Sequence, residues 1–136
     1  LGQRLARQDG AALFIDYGYF PSAPGDTLQA VARHERRDPL HDPGATDLTA
    51  HVDFADFAAA ATAAGARTWG PVSQVRFLKA LGIDIRARRL ADGKDAQQQA
   101  QIESGCRRLL DETQMGTLFK VLALTGRDAP PPAGFD

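Results

Sequence analysis

The most pronounced apolar segment of this chain runs from Ala11 to Tyr19 and reads Ala-Ala-Leu-Phe-Ile-Asp-Tyr-Gly-Tyr. Its four consecutive apolar residues, 12–15, are typical of a strand covered on both faces, as in a parallel sheet. Gly18 then allows the chain to bend sharply. Asp16 and Tyr17 are therefore predicted to lie at the carboxyl end of a central strand, the edge where open α/β sheets bind ligands. The alternative is that Asp16 only caps the following loop.

Helical periodicity and turn residues divide the remainder of the chain into further elements. Phe54 and Phe57 begin a helical pattern that Asp53 can cap and that Gly65 ends. Alternation over Thr27–Arg33 predicts a short strand. Other predicted elements are the last turns of a helix at 1–8, an extended segment at 66–70 ended by the proline at 71, helices at 74–81, 83–90 and 94–112, and a strand at 116–124. This order of strands and helices favours the α/β class.

Two segments are predicted to lie outside the regular core. Residues 19–46 form an insertion whose prolines and glycines make it largely irregular. Residues 127–136 contain three consecutive prolines and are predicted to be a tail and not an element of the fold. The domain is therefore expected to span residues 1–126.

Composition argues against several classes of function. Sixteen basic and 17 acidic residues give a net charge of −1, which offers no general attraction to nucleic acid or to membranes. No apolar run approaches the ~20 residues that a membrane-spanning helix needs. The single cysteine, Cys106, excludes an internal disulfide and is predicted to be a packed thiol in a reducing, intracellular compartment. Because the chain begins with Leu1 and its only methionine is Met115, we expect it to be a piece of a longer protein.

A second polar pattern precedes the predicted helix. Polar residues occupy every second position of this stretch, namely Asp47, Thr49, His51 and Asp53. If the stretch is extended, these side chains point one way, while Leu48, Ala50 and Val52 point into the core. His51 can accept a proton near neutral pH, and Asp53 suits the free N–H groups and dipole of a helix start. The structural alternatives are a histidine that tethers the loop and an aspartate that is only an N-cap.

A metal site is a different interpretation of the same region. His34, His41, His51 and Asp53 fall within one irregular stretch, and zinc sites use such ligands, although these spacings match no motif. Phosphate-binding signatures are missing, because neither a Gly-x-Gly-x-x-Gly sequence nor a Walker loop follows any predicted strand.

Short blocks along nearly the whole chain agree, in order and spacing, with one known family. The blocks are Ile15-Asp-Tyr-Gly18, Asp26-Thr-Leu28, His34, Asp38-Pro-Leu40, Pro43-Gly44, Asp47-Leu-Thr-Ala-His-Val-Asp-Phe54, Gly70-Pro71, Gln74, Phe77-Leu78, Leu81-Gly82-Ile83, Met115-Gly116 and Phe119-Lys120-Val121. They resemble the MidA-like S-adenosylmethionine-dependent methyltransferases, whose mitochondrial members act on a respiratory complex I subunit during assembly. Where that family has an arginine and an aromatic residue, this chain has Gln29 and Val31.

The resemblance implies an α/β fold, the C-terminal part of a class I (Rossmann-like) methyltransferase, with strands covered by helices and an irregular insertion. Residues 11–17 would be its fifth strand, and residues 66–70 and 117–124 its closing antiparallel pair. The glycine-rich turn that holds S-adenosylmethionine would lie upstream of this chain. The isolated chain is then expected to be inactive and to contribute little to cofactor binding.

The resemblance also implies a protein substrate, methylated on arginine, and a location in the bacterial cytoplasm or the mitochondrial matrix. Carboxylates match the charge and the forked shape of a guanidinium. The candidate catalytic residues are therefore Asp16, His51 and Asp53. The candidate substrate pocket comprises Asp16, Tyr17, Gly18, Asp47, Thr49, His51 and Asp53. The alternative function is a non-catalytic α/β module that binds a partner.

Overall fold

The structure is a computed structural model that describes residues 1–8, 10–33, 35–42 and 44–135. The helices are α1 (Gly2–Arg7), α2 (Phe54–Ala63), α3 (Gln74–Ala80), α4 (Ile83–Ala91), α5 (Ala96–Leu110) and α6 (Met115–Leu118). The strands are β1 (Ala11–Tyr19), β2 (Gln29–Ala32), β3 (Glu35–Arg37), β4 (Asp47–Thr49), β5 (Val52–Asp53), β6 (Arg67–Ser73) and β7 (Phe119–Thr125).

The main sheet has four strands in the order β5-β1-β7-β6. β1 and β7 run antiparallel from the pair Ala11–Thr125 to the pair Tyr17–Phe119, and β6 pairs antiparallel with the other edge of β7. β5 runs parallel to β1 and pairs only with its last two residues, Gly18 and Tyr19. The α/β class and the closing antiparallel pair are therefore confirmed.

The core lies between this sheet and the helices α1 and α2. Phe54 and Leu122 are fully buried there, together with Leu124. Phe14 of β1 packs edge to face on Phe57 of α2, with ring centroids 4.7 Å apart. Because β7 lies between two strands and its apolar run is covered on both faces, β7 and not β1 is the most deeply buried strand.

The prediction that β1 is covered on both faces is wrong for this chain. Leu13 and Ile15 alternate with Phe14 and therefore lie on the opposite face of the strand, where they are 52% and 46% exposed. Helices α1 and α2 cover only the face that carries Phe14. An apolar run indicates that a strand tends to be buried. It does not indicate whether the segment that covers the strand is part of this chain.

On the other side of the sheet, α3 and α6 pack against β6 and β7. Phe77 of α3 is 5% exposed and contacts Phe135, with centroids 5.2 Å apart. A Cβ added to Gly134 would lie only 2.6 Å from the Phe77 ring. The end of the proline-rich tail is thus packed on α3, although it forms no helix or strand in the part described. The domain boundary at residue 126 remains a prediction.

The insertion contains a small three-stranded sheet in the order β3-β2-β4. The strand predicted at Thr27–Arg33 is confirmed as β2. The prediction that Asp47–Asp53 is one extended stretch with its apolar residues inward is wrong, because Leu48 is 54% exposed and Ala50 is exposed. The chain changes sheets there: β4 belongs to the small sheet and β5 to the main sheet.

Three local predictions also need correction. The extended segment predicted to stop at Pro71 continues as β6 to Ser73, with a bulge between Trp69 and Val72. Residues 115–118 form the short helix α6 where a strand was predicted to begin. Leu81, the last residue of the helix predicted at 74–81, lies just beyond α3 and is 50% exposed.

Candidate functional site

The carboxyl end of β1 holds the predicted residues Asp16, Tyr17 and Gly18. Asp16 is exposed, and its Oδ1 accepts a hydrogen bond of 2.8 Å from the backbone N–H of Tyr17. Gly18 lies tightly against β5: a Cβ there would be 2.3 Å from the carbonyl oxygen of Val52 and 2.8 Å from the Phe54 ring. Gly18 is therefore required by the close approach of β5 and α2, and not only by a bend in the chain.

Tyr17 and His51 form an aromatic pair beside this strand end. Their ring centroids are 5.6 Å apart, and Tyr17 also contacts Phe119, at 5.7 Å. The backbone N–H of His51 donates to Thr27 Oγ1 at 3.1 Å, and His51 Nε2 lies 3.3 Å from Gln29 Nε2. Because an amide nitrogen donates, Nε2 of His51 accepts in this arrangement. His51 is thus held from two sides, by the insertion and by β1.

Asp53 is the N-cap of α2, as the sequence predicted. Its Oδ1 accepts from the backbone N–H groups of Ala55 (3.0 Å) and Asp56 (3.1 Å) and from Ser22 Oγ (2.8 Å). The hydrogen bond from the Asp56 backbone is the main cause that lowers the pKa of Asp53. Burial, followed by the charge of Asp53, raises the pKa of the neighbouring Tyr19. Asp53 therefore ties the insertion to the start of α2.

Thr49 and Asp47 lie on β4, away from the main sheet. Thr49 pairs in register with Gln29, the residue that contacts His51, so Thr49 is linked to the strand end indirectly. Asp47 pairs with Val31 at the other end of β4 and is exposed. The seven predicted pocket residues are therefore not gathered into one group.

Strand alternation also separates Asp16 from Tyr17. Asp16 shares the face of Phe14, whereas Tyr17 and its partner Phe119 lie on the opposite face. Asp16 and His51 are thus on different sides of β1, although both lie near its carboxyl end.

Lys120 is a residue of this region that sequence reasoning did not select. It lies directly opposite Asp16 across the β1–β7 pair. Its Nζ donates to the carbonyl oxygens of Gly18 (3.1 Å), Leu118 (3.5 Å) and Thr117. Burial lowers the pKa of Lys120. The sequence signal that could have identified it is a single lysine inside the apolar run of β7. Lys120 ties α6 and β7 to the end of β1.

The metal interpretation finds no support in the described part of the chain. Within residues 1–8, 10–33, 35–42 and 44–135, no three or more histidine, cysteine, aspartate or glutamate residues converge as a metal site would require. His41 contacts the adjacent Asp42 at 3.3 Å, and His51 is engaged by Gln29. His34 lies outside the described residues. Among the helices of that same part, none is long and apolar enough to cross a membrane.

The family described as "putative S-adenosyl-L-methionine-dependent methyltransferase" matches residues 1–72, which include β1, the insertion, β5 and α2. The chain belongs to this methyltransferase family. It is 38% identical over 98% of its length to the mitochondrial protein arginine methyltransferase NDUFAF7 of Xenopus tropicalis. It is also 40% identical over 91% of its length to the NDUFAF7 homolog of Drosophila melanogaster. The chain covers only 33% and 28% of those relatives.

Two solved structures from Burkholderia thailandensis share the fold of this chain. One, an uncharacterized protein, superposes with a TM-score of 0.78 at 39% identity, over 94% of this chain and 34% of its own. The other is described as a "likely methyl transferase" bound to S-adenosyl-homocysteine; its TM-score is 0.77 at 38% identity, over 93% of this chain and 33% of its own. The chain therefore spans about one third of the length of the relatives and structures that it matches.

The sequence of this chain lacks the Gly-x-Gly pattern found in turns that hold nucleotide cofactors. No two glycines in the sequence are separated by a single residue, so no glycine-rich turn is available to approach the cofactor closely. The end of β1 supplies an exposed carboxylate, Asp16, on one face and the Tyr17–His51 aromatic pair on the other.

Proposed function

We propose that this chain is part of an S-adenosylmethionine-dependent methyltransferase that modifies an arginine side chain of a protein. The observation that carries the proposal is its 38% identity, over 98% of this chain, with a protein named as a protein arginine methyltransferase. Within the longer protein, the chain's role is to bind and orient the acceptor, while residues outside it hold the methyl donor.

Asp16 is the carboxylate we assign to the guanidinium. It is exposed at the end of β1, and its one hydrogen bond within the described residues uses Oδ1 and leaves Oδ2 for a substrate. An arginine presents parallel N–H groups that a carboxylate accepts, and alignment of the acceptor nitrogen is the main contribution a protein can make to methyl transfer.

His51 and Asp53, the two other catalytic candidates, are better explained as positioning residues. Gln29 occupies Nε2 of His51, and Asp53 Oδ1 already accepts three hydrogen bonds. Both alternatives stated from the sequence, a loop-tethering histidine and an N-cap aspartate, are therefore favoured by these contacts. We assign to both residues the task of fixing the insertion beside β1.

The test uses the full-length protein, labelled S-adenosylmethionine and arrays of arginine-containing peptides, with methylarginine identified by amino-acid analysis. Asp16→Asn is expected to lower kcat/KM for the peptide roughly 10- to 100-fold, the range expected when a charged hydrogen-bond partner is lost. Donor affinity and the unfolding midpoint should stay unchanged. Asp47→Asn is the matched control, because Asp47 is an exposed aspartate on β4, and it should retain activity.

Three results would contradict the proposal. Methylation of lysine or of a small molecule in place of arginine would refute the substrate assignment. Equal activity of Asp16→Asn and Asp47→Asn would refute the role of Asp16. Failure of the full-length protein to bind the donor would favour the non-catalytic, partner-binding module instead.

A further inference from the structure

The hairpin of α4 and α5 stands apart from the sheet and has no buried residue in either helix. The two helices pack on each other and on α3. Ile83 and Ala87 of α4 line a cleft shared with Ile102, Cys106 and Leu109 of α5. Cys106, predicted to be a packed thiol, is half-buried in this cleft. Arg86 and Leu90 of α4 also border this cleft.

A second surface groove, of about 530 Å³, runs along α4 from the residues just before the helix, and we call it the α4 groove. It is lined by Leu81, Gly82, Ile85, Arg86, Arg89 and Leu90. The last four recur at i, i+1, i+4 and i+5, so they form one stripe along the helix. Leu81, Ile85 and Leu90 are 50%, 55% and 46% exposed. Large aliphatic side chains clustered in this way mark interaction sites more often than they mark ordinary surface.

The charge around the α4 groove is positive. α4 carries three arginines and one aspartate. Arg88 donates to the Asp84 carbonyl of its own helix, at 3.3 Å. Neither Arg86 nor Arg89 forms an ion pair with any residue that the structure describes. The two arginines thus flank exposed leucine and isoleucine side chains without an acidic partner.

We propose that the α4 groove is a docking site for an acidic, amphipathic helix of a partner protein. Apolar side chains of that helix would lie on Leu81, Ile85 and Leu90, and its carboxylates would pair with Arg86 and Arg89. A helix in a groove presents its apolar residues at spacings of three and four, which matches the stripe on α4. Arginine is favoured at the centre of such interfaces because its planar fork pairs with carboxylates.

This proposal does not depend on the proposed methyl transfer, because its readout is binding. The full-length protein is immobilised and screened against a displayed library of random 15-residue peptides, and selected peptides are synthesised for titration. The expected consensus combines leucine or isoleucine at helical spacing with flanking aspartate or glutamate. Binding should weaken as salt rises from 50 to 500 mM, because exposed ion pairs are screened.

Two variants and a matched control identify the surface. Arg86→Glu and Arg89→Glu are each expected to weaken binding of the selected peptides by ~10-fold or more, since like charges would then face each other. Arg108→Glu makes the same charge change on the exposed part of α5, outside the groove, and should leave affinity within about twofold of the unmodified protein. Ile85→Ser tests the apolar contribution and should also weaken binding. All four variants change exposed side chains, so their unfolding midpoints should match.

Each opposing outcome overturns the proposal. If no peptide is selected, the groove is covered within the longer chain or has no such ligand. If selected peptides bind Arg86→Glu and Arg89→Glu normally, they bind elsewhere. If sedimentation shows that the full-length protein self-associates and that Arg86→Glu abolishes this, the occupant is a second copy and not an acidic partner.

Discussion

Gly18 offers the sharpest test of how the sheet and the candidate site are joined. Replacing it with alanine would place a Cβ 2.3 Å from the Val52 carbonyl oxygen and 2.8 Å from two atoms of the Phe54 ring. Carbon atoms in proteins pack best at ~3.5 to 4.0 Å, so the new Cβ would be too close to the Phe54 ring carbons by about 0.7 Å or more. The nearest atom is backbone, and Phe54 is 0% exposed, so neither neighbour can move without displacing β5 or the core.

We therefore expect Gly18→Ala to destabilise the protein by about 1–3 kcal/mol, the usual cost of adding a methyl group to a packed site. A cost above that range would show that β5 detaches from β1. Gly105→Ala is the matched control. Gly105 lies in α5, and a methyl group added there would meet no atom within 4 Å, so alanine should stabilise by about 0.5–1 kcal/mol through helix propensity.

The assay is urea unfolding of the full-length protein, followed by circular dichroism and by the fluorescence of Trp69. The opposite signs of the two substitutions are the essential prediction, since both make the same change in composition. A neutral Gly18→Ala would mean that β5 adjusts freely and does not fix His51 and Asp53 beside β1. If Gly18→Ala destabilises the protein as expected, activity should fall as well, because both positioning residues flank Val52.

Three further predictions follow from the same contacts. Phe14→Ala should lower the free energy of unfolding by about 3 kcal/mol, at the low end for a phenylalanine because Phe14 is only half-buried. Leu13→Ala should change it by no more than ~0.5 kcal/mol in this chain. A large loss of stability from Leu13→Ala in the full-length protein would show that the open face of β1 is covered there. Residues 1–136 alone should show no micromolar binding of S-adenosylmethionine by calorimetry, and such binding would refute the placement of the cofactor turn outside this chain. The lowered pKa of Asp53 means that its stabilising contribution is complete above its unfolded pKa of ~3.9 and is lost as pH falls through the lower folded value. Asp53→Asn should therefore keep the helix cap and most activity, but the free energy of unfolding should depend less on pH below about pH 4. If its dependence on pH in acid is the same as in the unmodified protein, the carboxylate of Asp53 does not make these hydrogen bonds.

Local sequence signals predicted the elements whose burial is decided within a few residues. The run at Ala11–Tyr19 and the strand ending at Leu124 were identified because four or more apolar residues follow one another. The start of α2 was identified because Asp53 precedes a helical repeat, and its end because a glycine, Gly65, follows that repeat. In the structure Gly65 has a positive φ of 92°. Each of these signals lies within a segment no longer than one strand or two turns of helix. These elements could therefore be predicted without knowledge of tertiary contacts.

The contacts that define the candidate site could not be predicted in this way. Lys120 bonds to Gly18, 102 positions earlier, and Gln29 meets His51 across 22 positions. The alternation at 47–53 suggested one continuous strand, because polar and apolar residues alternate equally well in two short strands of different sheets. Exposure of Leu13 and Ile15 was also unpredictable, since a run of apolar residues does not reveal which stretch of chain covers it.

The position of β5 explains why the insertion and the site should act together. Val52–Asp53 is only two residues long, yet it ends the path from the small sheet and begins the path into α2. On one side, Thr27 and Gln29 of the insertion hold His51 against Tyr17; on the other, Ser22 of the insertion shares Asp53 with the first turn of α2. Any movement of the insertion is therefore transmitted to both positioning residues at once. This coupling is the physical reason for expecting the insertion, and not the sheet, to determine which acceptor is presented to Asp16.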